Sequence, residues 1–229
     1  MTNFVLIHGA FQGGWIWKTV ATRLRTEGHL VFTPTLDGCG ERAYQLRPGI
    51  TTETQAEELA KFLWSEDLHD LVLVGASAGG MVMAKTAELA RDRVTRLVFS
   101  DALALKHGEC IRDITGGQLS VETELAVGPT REGRLERFRA ELDPATAVWA
   151  ADRSTVHPKG CFDQPVVLEK FWQQKWEASV VWCKQAGKPG EPHQRRYAEA
   201  LTARWHELDT GHFPMLTKPD ELIDIILNG

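Results

Sequence analysis

The distribution of apolar residues along the chain predicts a sheet of buried strands separated by helices. Short apolar runs bounded by Gly, Pro or Asp alternate with longer stretches in which apolar residues recur at helical spacing. The runs expected to form strands cover residues 4–8, 29–33, 71–75, 95–100, 179–183 and 204–208. Helices are expected near residues 15–27, 52–65, 79–91, 192–203 and 219–227. This alternation is typical of an α/β protein, in which helices cover both faces of a mostly parallel sheet.

Residues 104–176 interrupt this alternation. They contain no convincing buried strand and are richer in charge, Trp and isolated Pro. Because the stretch is too long for a loop in a compact domain, we expect a helical cap insertion, with its clearest helix at residues 131–142. Four Arg and three Glu interleave in that helix, which favours a solvated, ion-paired face over a polyanion site. The core domain is then expected to comprise residues 1–103 and 177–229.

Composition and charge narrow the classes of partner. The 229 residues are 43% hydrophobic and 25% charged, which is usual for one α/β domain of the larger kind. The net charge of -5 argues against nucleic acid as a partner, because nucleic-acid binding depends on neutralising phosphates.

No apolar run approaches the ~18 residues of a membrane span, and no basic leader is present, so we expect no membrane partner and a cytoplasmic location. The four cysteines form no C-x-x-C pair and are expected to be free thiols. The oligomeric state is open, with a homodimer as one alternative.

The strongest chemical motif lies in residues 71–80, LVLVGASAGG, where a buried strand runs into G-x-S-x-G and then into a helix. A Ser on such a tight turn projects its hydroxyl above the sheet, and small neighbours let the backbone take the strained turn. The N–H groups at the start of the helix point to the same place. A phosphate-binding loop is disfavoured, because no Lys follows as in G-x-x-x-x-G-K. Ser77 is therefore the candidate nucleophile.

A Ser hydroxyl needs a base to remove its proton, and His212 is placed to act as one. It follows the last predicted strand directly, in a loop at the carboxyl edge of the sheet that would face Ser77. The other seven histidines lack this placement; His206, for example, lies inside that strand and is six residues from His212, unlike the spacing of H-E-x-x-H. We expect neither a metal nor a cofactor.

The carboxylate that would orient the imidazole is less well defined. Asp101 ends the strand at residues 95–100, from which it can reach the His loop, and it is favoured. Glu191, the first carboxylate after the strand at residues 179–183, is the alternative, and Asp209 is third. The alternative role for Asp101 is that of a helix or turn cap.

Acyl transfer also requires N–H donors for the oxygen that becomes negative. Gly9 allows the chain to turn after the first strand, so that the Ala10 N–H points into the site. The Ala78 N–H, directly after the nucleophile, is the second candidate for this oxyanion hole. His8 is interpreted as a hydrogen-bonded support of the loop, and Phe11 as a substrate-binding residue that lines an apolar pocket.

These residues resemble those of the α/β-hydrolase superfamily, and within it the small esterases related to plant methyl-salicylate esterases and hydroxynitrile lyases. The similar segments follow the family order of oxyanion loop, nucleophile and His, and do not include the insertion; they are FVLIHGAFQGGWIW (4–17), VFTPTLDGCGER (31–42), LVLVGASAGGMV (71–82), RLVFSDAL (96–103) and WHELDTGHFPML (205–216). Two positions depart from the family. Ala76 stands where relatives often carry His or a larger residue, and Ala186 stands roughly where the plant esterases have their acid, which favours Asp101.

The resemblance implies an α/β-hydrolase fold with Ser77, His212, Ala10 and Ala78 in the roles described. The expected function is a serine esterase that cleaves a small, mostly apolar carboxylic ester, or a related thioester or carbamate, through an acyl-enzyme. A small-molecule substrate is the expected partner. Two alternatives stay open: an enzyme like the hydroxynitrile lyases, or another α/β-hydrolase that cleaves a C–C bond, and a non-catalytic ligand receptor on the same scaffold.

Overall fold

The computed structural model describes residues 1–116 and 119–229. The strands are β1 (Asn3–Ile7), β2 (Leu30–Phe32), β3 (Leu71–Ala76), β4 (Val94–Ser100), β5 (Val121–Glu122), β6 (Ala126–Gly128), β7 (His157–Pro158), β8 (Glu177–Cys183) and β9 (Arg204–Leu208). The helices are α1 (Lys18–Thr26), α2 (Thr52–Ser65), α3 (Gly79–Leu89), α4 (Ile111–Thr115), α5 (Arg131–Arg139), α6 (Pro144–Arg153), α7 (Lys159–Asp163), α8 (Glu191–Leu201), α9 (Pro214–Thr217) and α10 (Pro219–Asn228). Within these ranges no helix is long and apolar enough to cross a membrane.

The principal sheet has six parallel strands in the order β2-β1-β3-β4-β8-β9. The chain runs from β1 to β2 on one side and then returns to β3 on the other, so the strand order reverses between β1 and β3. In open α/β sheets, ligands bind outside the carboxyl ends of the strands at such a reversal. The loops after β1 and β3 therefore begin side by side at the edge where a site is expected.

Side chains alternate between the two faces of this sheet, as the geometry of a strand requires. Val5 and Ile7 of β1 pack into the core formed with α2, α3 and α8. Phe4 and Leu6 of the same strand pack into the opposite core, formed with α1 and α10. All six residues of β3 are buried, because this central strand is covered on both faces.

The predicted six-stranded core is confirmed, with boundaries that differ by at most two residues. The largest difference is in β8, which begins at Glu177 rather than at residue 179. The helix expected near residues 15–27 begins with a 3-10 turn, Gly14–Trp17, before α1.

The expectation that residues 104–176 contain no convincing buried strand is wrong, since β6 and β7 are buried. Besides α4 to α7, the insertion holds a three-stranded antiparallel sheet in the order β5-β6-β7. These strands are two or three residues long, too short to show an alternating pattern in the sequence. The helix expected over residues 131–142 ends at Arg139. Residues 117 and 118 of the insertion lie outside the described residues.

Candidate active site

Ser77 occupies a strained turn between β3 and α3. Its φ of 50° lies in the left-handed region, which non-glycine residues rarely adopt. Backbone hydrogen bonds hold it there: the Ser77 carbonyl oxygen accepts from the Leu103 N–H at 2.9 Å and from the Gly80 N–H at 3.1 Å. The turn is also closely packed, because a Cβ at Gly9 would lie 2.7 Å from the Cβ of Ser77. The hydroxyl-bearing residue is thus fixed at the carboxyl edge of the sheet.

Asp101 and His212 lie in direct contact at the same edge. The Asp101 Oδ2 and the His212 Nδ1 are 2.5 Å apart, and both side chains are buried. The other carboxylate oxygen, Oδ1, accepts from the Cys183 N–H at 3.3 Å. A carboxylate bonded to Nδ1 leaves Nε2 as the acceptor of the neutral imidazole. His212 and Ser77 both line one cavity.

Gln194 is a third partner of the Asp101 carboxylate, and the sequence alone did not indicate it. Its side chain is fully buried, and its Nε2 donates to the Asp101 Oδ1 at 2.6 Å and to the Pro189 carbonyl oxygen at 3.1 Å. Gln194 lies on the buried stripe of α8 with Tyr197 and Leu201. A Gln at a helical position that otherwise holds apolar residues was the sequence feature that could have drawn attention to it.

The two other candidate acids lie elsewhere. Glu191 accepts from the Arg195 Nε at 3.1 Å on the surface of α8. Asp209 accepts from the Gln185 Nε2 at 3.1 Å. Of the three candidates, the structure brings Asp101 to His212.

The loop after β1 is held by buried polar contacts. The Gly9 N–H donates to the Gln12 Oε1 at 3.2 Å. His8 is fully buried; its Nε2 accepts from the Leu36 N–H at 3.0 Å, and its Nδ1 lies 2.8 Å from the Gly9 carbonyl oxygen. Burial lowers the pKa of His8 to about 4, so this imidazole stays neutral at pH 7 and supports the loop.

Ala10 lines the cavity with Ser77, and Ala78 follows Ser77 directly. Within residues 1–116 and 119–229, neither of these N–H groups donates to another protein group. Backbone donors that are not used inside the protein remain available to an oxyanion.

Phe11 joins the core loop to the insertion. Its φ is 69°, its carbonyl oxygen accepts from the Thr155 N–H at 2.9 Å, and its own N–H donates to the His157 Nδ1 at 3.4 Å. The Phe11 ring packs on Phe162, with the ring centroids 5.7 Å apart. Burial lowers the pKa of His157 to about 3, so its imidazole is neutral at pH 7, and the hydrogen bond from the Phe11 N–H makes Nδ1 the acceptor nitrogen. The insertion therefore fixes the loop that carries Ala10.

The cavity has a volume of about 50 Å³ and is lined by both the core and the insertion. Its lining residues are Ala10, Phe11, Gln12, Ser77, Pro129, Arg134, Arg137, Phe138, Ser154, His212 and Phe213. Phe11 is one of these lining residues. Two Arg residues of α5 also face this space, which differs from the expectation that this helix presents its charges to solvent. Trp149 of the insertion packs on Trp15 and does not line this cavity.

The fold is that of an alpha/beta hydrolase, and the chain belongs to the alpha/beta hydrolase family, whose model matches residues 4–225. Among curated relatives, it is similar to the carbendazim hydrolyzing esterase of Nocardioides sp. (strain SG-4G), with 40% identity over 179 residues, 73% of this chain and 74% of that protein. It is also similar to methylesterase 1 of Arabidopsis thaliana, with 33% identity over 98% of this chain and 94% of that protein.

Solved structures share the fold. An extracellular alpha/beta-hydrolase from a Paenibacillus species superposes with a TM-score of 0.80 at 24% identity, over 99% of this chain and 98% of that chain. A methylesterase from Arabidopsis gives a TM-score of 0.80 at 18% identity, with the same coverage of both chains. The predicted family, fold and enzyme class, a carboxylic ester hydrolase, are confirmed by these comparisons.

Proposed function

We propose that this protein is a serine esterase that cleaves small esters through an acyl-enzyme, with Ser77 as nucleophile, His212 as base and Asp101 as the orienting acid. The observation that carries the proposal is the 2.5 Å contact between the Asp101 Oδ2 and the His212 Nδ1, beside a cavity that Ser77 also lines. A Ser hydroxyl alone is a poor nucleophile, and it needs a base held in the correct orientation. The contact with Asp101 holds the His212 imidazole in such an orientation.

In the proposed reaction, the Ser77 Oγ attacks the ester carbonyl while the His212 Nε2 takes the hydroxyl proton. Asp101 stabilises the imidazolium that forms. The negative oxygen of the tetrahedral intermediate accepts from the N–H groups of Ala10 and Ala78. His212 then returns the proton to the leaving alcohol, and water releases the acyl group by the same route.

The substrate is proposed to be a small carboxylic ester, with a thioester or carbamate as related substrates. The volume of about 50 Å³ supports a small group next to the Ser77 hydroxyl. Residues 104–176 are proposed to act as the cap over this site, since Phe138 and Ser154 of that segment line the cavity.

The test is covalent labelling and turnover. A fluorophosphonate probe should add its mass to Ser77, and 4-nitrophenyl acetate should be hydrolysed by the wild type. Ser77→Ala should lose labelling and at least about 10⁴-fold in kcat, because the nucleophile acts as a unit with its base. Ser65→Ala, at an exposed residue at the end of α2, is the matched control and should behave as wild type. Labelling at another residue, or full activity in Ser77→Ala, would contradict the proposal.

A lyase is the second candidate. The chain is 31% identical to an alpha-hydroxynitrile lyase of Arabidopsis thaliana over 101 residues, which is 44% of this chain. A lyase would use His212 as a base without forming an acyl-enzyme. Cleavage of mandelonitrile with no turnover of any ester in a panel of aryl, alkyl, thio and carbamate esters would favour that function.

A further inference from the structure

Two cations from the insertion lie at the cavity that holds Ser77 and His212. Arg134 and Arg137, one turn apart on α5, both line it. The Arg134 Nη1 donates to the Pro129 carbonyl oxygen at 3.0 Å. The Arg137 guanidinium carbon lies 5.6 Å from the centre of the Phe213 ring, which is next to His212 in the chain. Both charges therefore border the space in which the ester would react.

These guanidinium groups are partly removed from water. The Arg134 Nε is buried and, in the described part of the chain, has no acceptor. Although Arg137 is exposed as a whole residue, the atoms packed around its guanidinium lower its pKa by desolvation, and burial lowers the pKa of Arg134 in the same direction. Guanidinium groups nevertheless stay charged in proteins. A buried N–H of a charged group without an acceptor is costly, so an anionic acceptor at this place would be favoured.

Two carboxylates, those of Glu141 and Asp101, lie near enough to Arg137 to oppose the lowering of its pKa, although desolvation remains the larger effect. Both are already engaged: the Glu141 Oε2 accepts from the Phe213 N–H at 3.3 Å, and Asp101 accepts from three donors. Within residues 1–116 and 119–229, no ion pair joins Arg134 or Arg137 to a carboxylate. By contrast, Arg131 of the same helix pairs with Asp152. The two cavity cations are thus not neutralised by direct pairing.

We propose that Arg134 and Arg137 bind an anionic group of the substrate, so that the preferred ester carries a carboxylate or comparable oxyanion close to the scissile bond. This inference rests on the proposed esterase function, and it revises the expectation of a mostly apolar substrate. The planar guanidinium fork matches a carboxylate in two parallel hydrogen bonds, which gives orientation as well as affinity.

The test uses ester pairs that differ only in charge. One pair, 3-acetoxybenzoate and 3-acetoxybenzamide, places the charge on the leaving group. The other, 4-nitrophenyl hydrogen adipate and the 4-nitrophenyl ester of adipamic acid, places it on the acyl group. In at least one pair, the wild type should show a kcat/KM about tenfold higher for the anion, as expected for one charge-assisted hydrogen bond.

For each pair, the kcat/KM of the charged ester is divided by that of the neutral ester. A general loss of activity lowers both values equally, so a change in this ratio reports on charge recognition by the arginines. The double variant Arg134→Gln/Arg137→Gln should bring the ratio close to one. Arg139→Gln, at an exposed position of the same helix that does not line the cavity, should keep the wild-type ratio. In 0.5 M NaCl the wild-type ratio should also shrink, because salt screens the charges, and this measurement does not depend on the folding of any variant.

The inference is overturned if the wild type prefers the anion in neither pair, or if the double variant keeps the preference. Those results differ from failure of the proposed function, in which the wild type would hydrolyse neither the charged nor the neutral esters, or Ser77→Ala would hydrolyse them equally well.

Discussion

Three residues around this site take backbone angles that side chains usually avoid: φ is 69° at Phe11, 50° at Ser77 and 43° at Asp101. They lie after β1, β3 and β4, which are neighbours in the sheet. Such conformations cost of order 1–3 kcal/mol each and persist only where the surrounding structure enforces them. Strain at three adjacent strand ends indicates that the fold is stabilised elsewhere so that these residues can converge.

Asp101→Asn should lower kcat by about 10⁴-fold with little change in KM, because an amide that donates to Nδ1 would hold His212 in the wrong tautomer. Glu191→Gln, whose native carboxylate pairs with Arg195, should stay within about twofold of wild type, as surface pairs contribute little. Steady-state kinetics on 4-nitrophenyl acetate measure both. A large loss in Glu191→Gln with normal turnover in Asp101→Asn would reverse the assignment of the acid.

The sequence predicted the positions of Ser77, Asp101 and His212 because each lies just after a strand, and parallel strands end at one edge. It did not predict Arg134 or Arg137. Their helix shows the alternation of Arg and Glu that a solvated helix shows, and nothing local reveals that one side of it faces the cavity. That information lies in how the insertion docks on the core, which depends on contacts between residues far apart in the chain.

At the scale of elements, the sheet could be predicted almost completely, because β1, β3, β4 and β8 are apolar runs bounded by residues that break strands. The small sheet of the insertion could not. β6 and β7 pair through Val127 and His157, thirty residues apart, and this pairing compensates for the weak pattern of each strand alone. His157 of β7 also accepts a hydrogen bond from the Phe11 N–H. The small sheet, which the sequence did not predict, therefore contributes to the structure of the site.

The contact between α3 and the end of β1 leads to a prediction about Gly79. A Cβ at this position would lie 2.4 Å from the His8 carbonyl oxygen and 2.7 Å from that of Ile7. Because both oxygen atoms belong to the backbone, the overlap can be relieved only if the helix moves away from the strand. Gly79→Ala should therefore lower the free energy of unfolding by about 2 kcal/mol, or Tm by about 5 °C, and should also reduce esterase activity.

Gly187→Ala is the control for this change, because a Cβ there would meet no atom within 4 Å. Its Tm, measured by thermal unfolding followed by circular dichroism, should match that of the wild type. Equal Tm values for Gly79→Ala and Gly187→Ala would show that α3 does not depend on close approach to β1.

At the scale of the whole molecule, buried and partly buried histidines make stability depend on pH. Desolvation lowers the pKa of His8 to about 4, of His157 to about 3 and of His193 to about 4, from 6.5, and it lowers the pKa of His206 in the same direction. Between pH 6.5 and about 4, the unfolded chain therefore binds protons that the folded protein excludes. Stability rises with pH wherever the unfolded state binds more protons, so acidification across this window must destabilise the fold.

The free energy of unfolding, measured by urea denaturation, should fall between pH 6.5 and 5, with a slope of up to about 1.4 kcal/mol per pH unit for each of the three histidines. The paired carboxylates Glu88 and Glu109, whose pKa values are lowered, contribute at still lower pH, so this window reports mainly on the histidines. His193→Gln keeps an acceptor for the Ala104 N–H and should reduce the slope by about a quarter to a third, since His206 also contributes. A free energy of unfolding that stays constant from pH 6.5 to 5 would mean that these imidazoles become protonated without unfolding, and the neutral supports assigned to the loop of Ala10 would then be wrong.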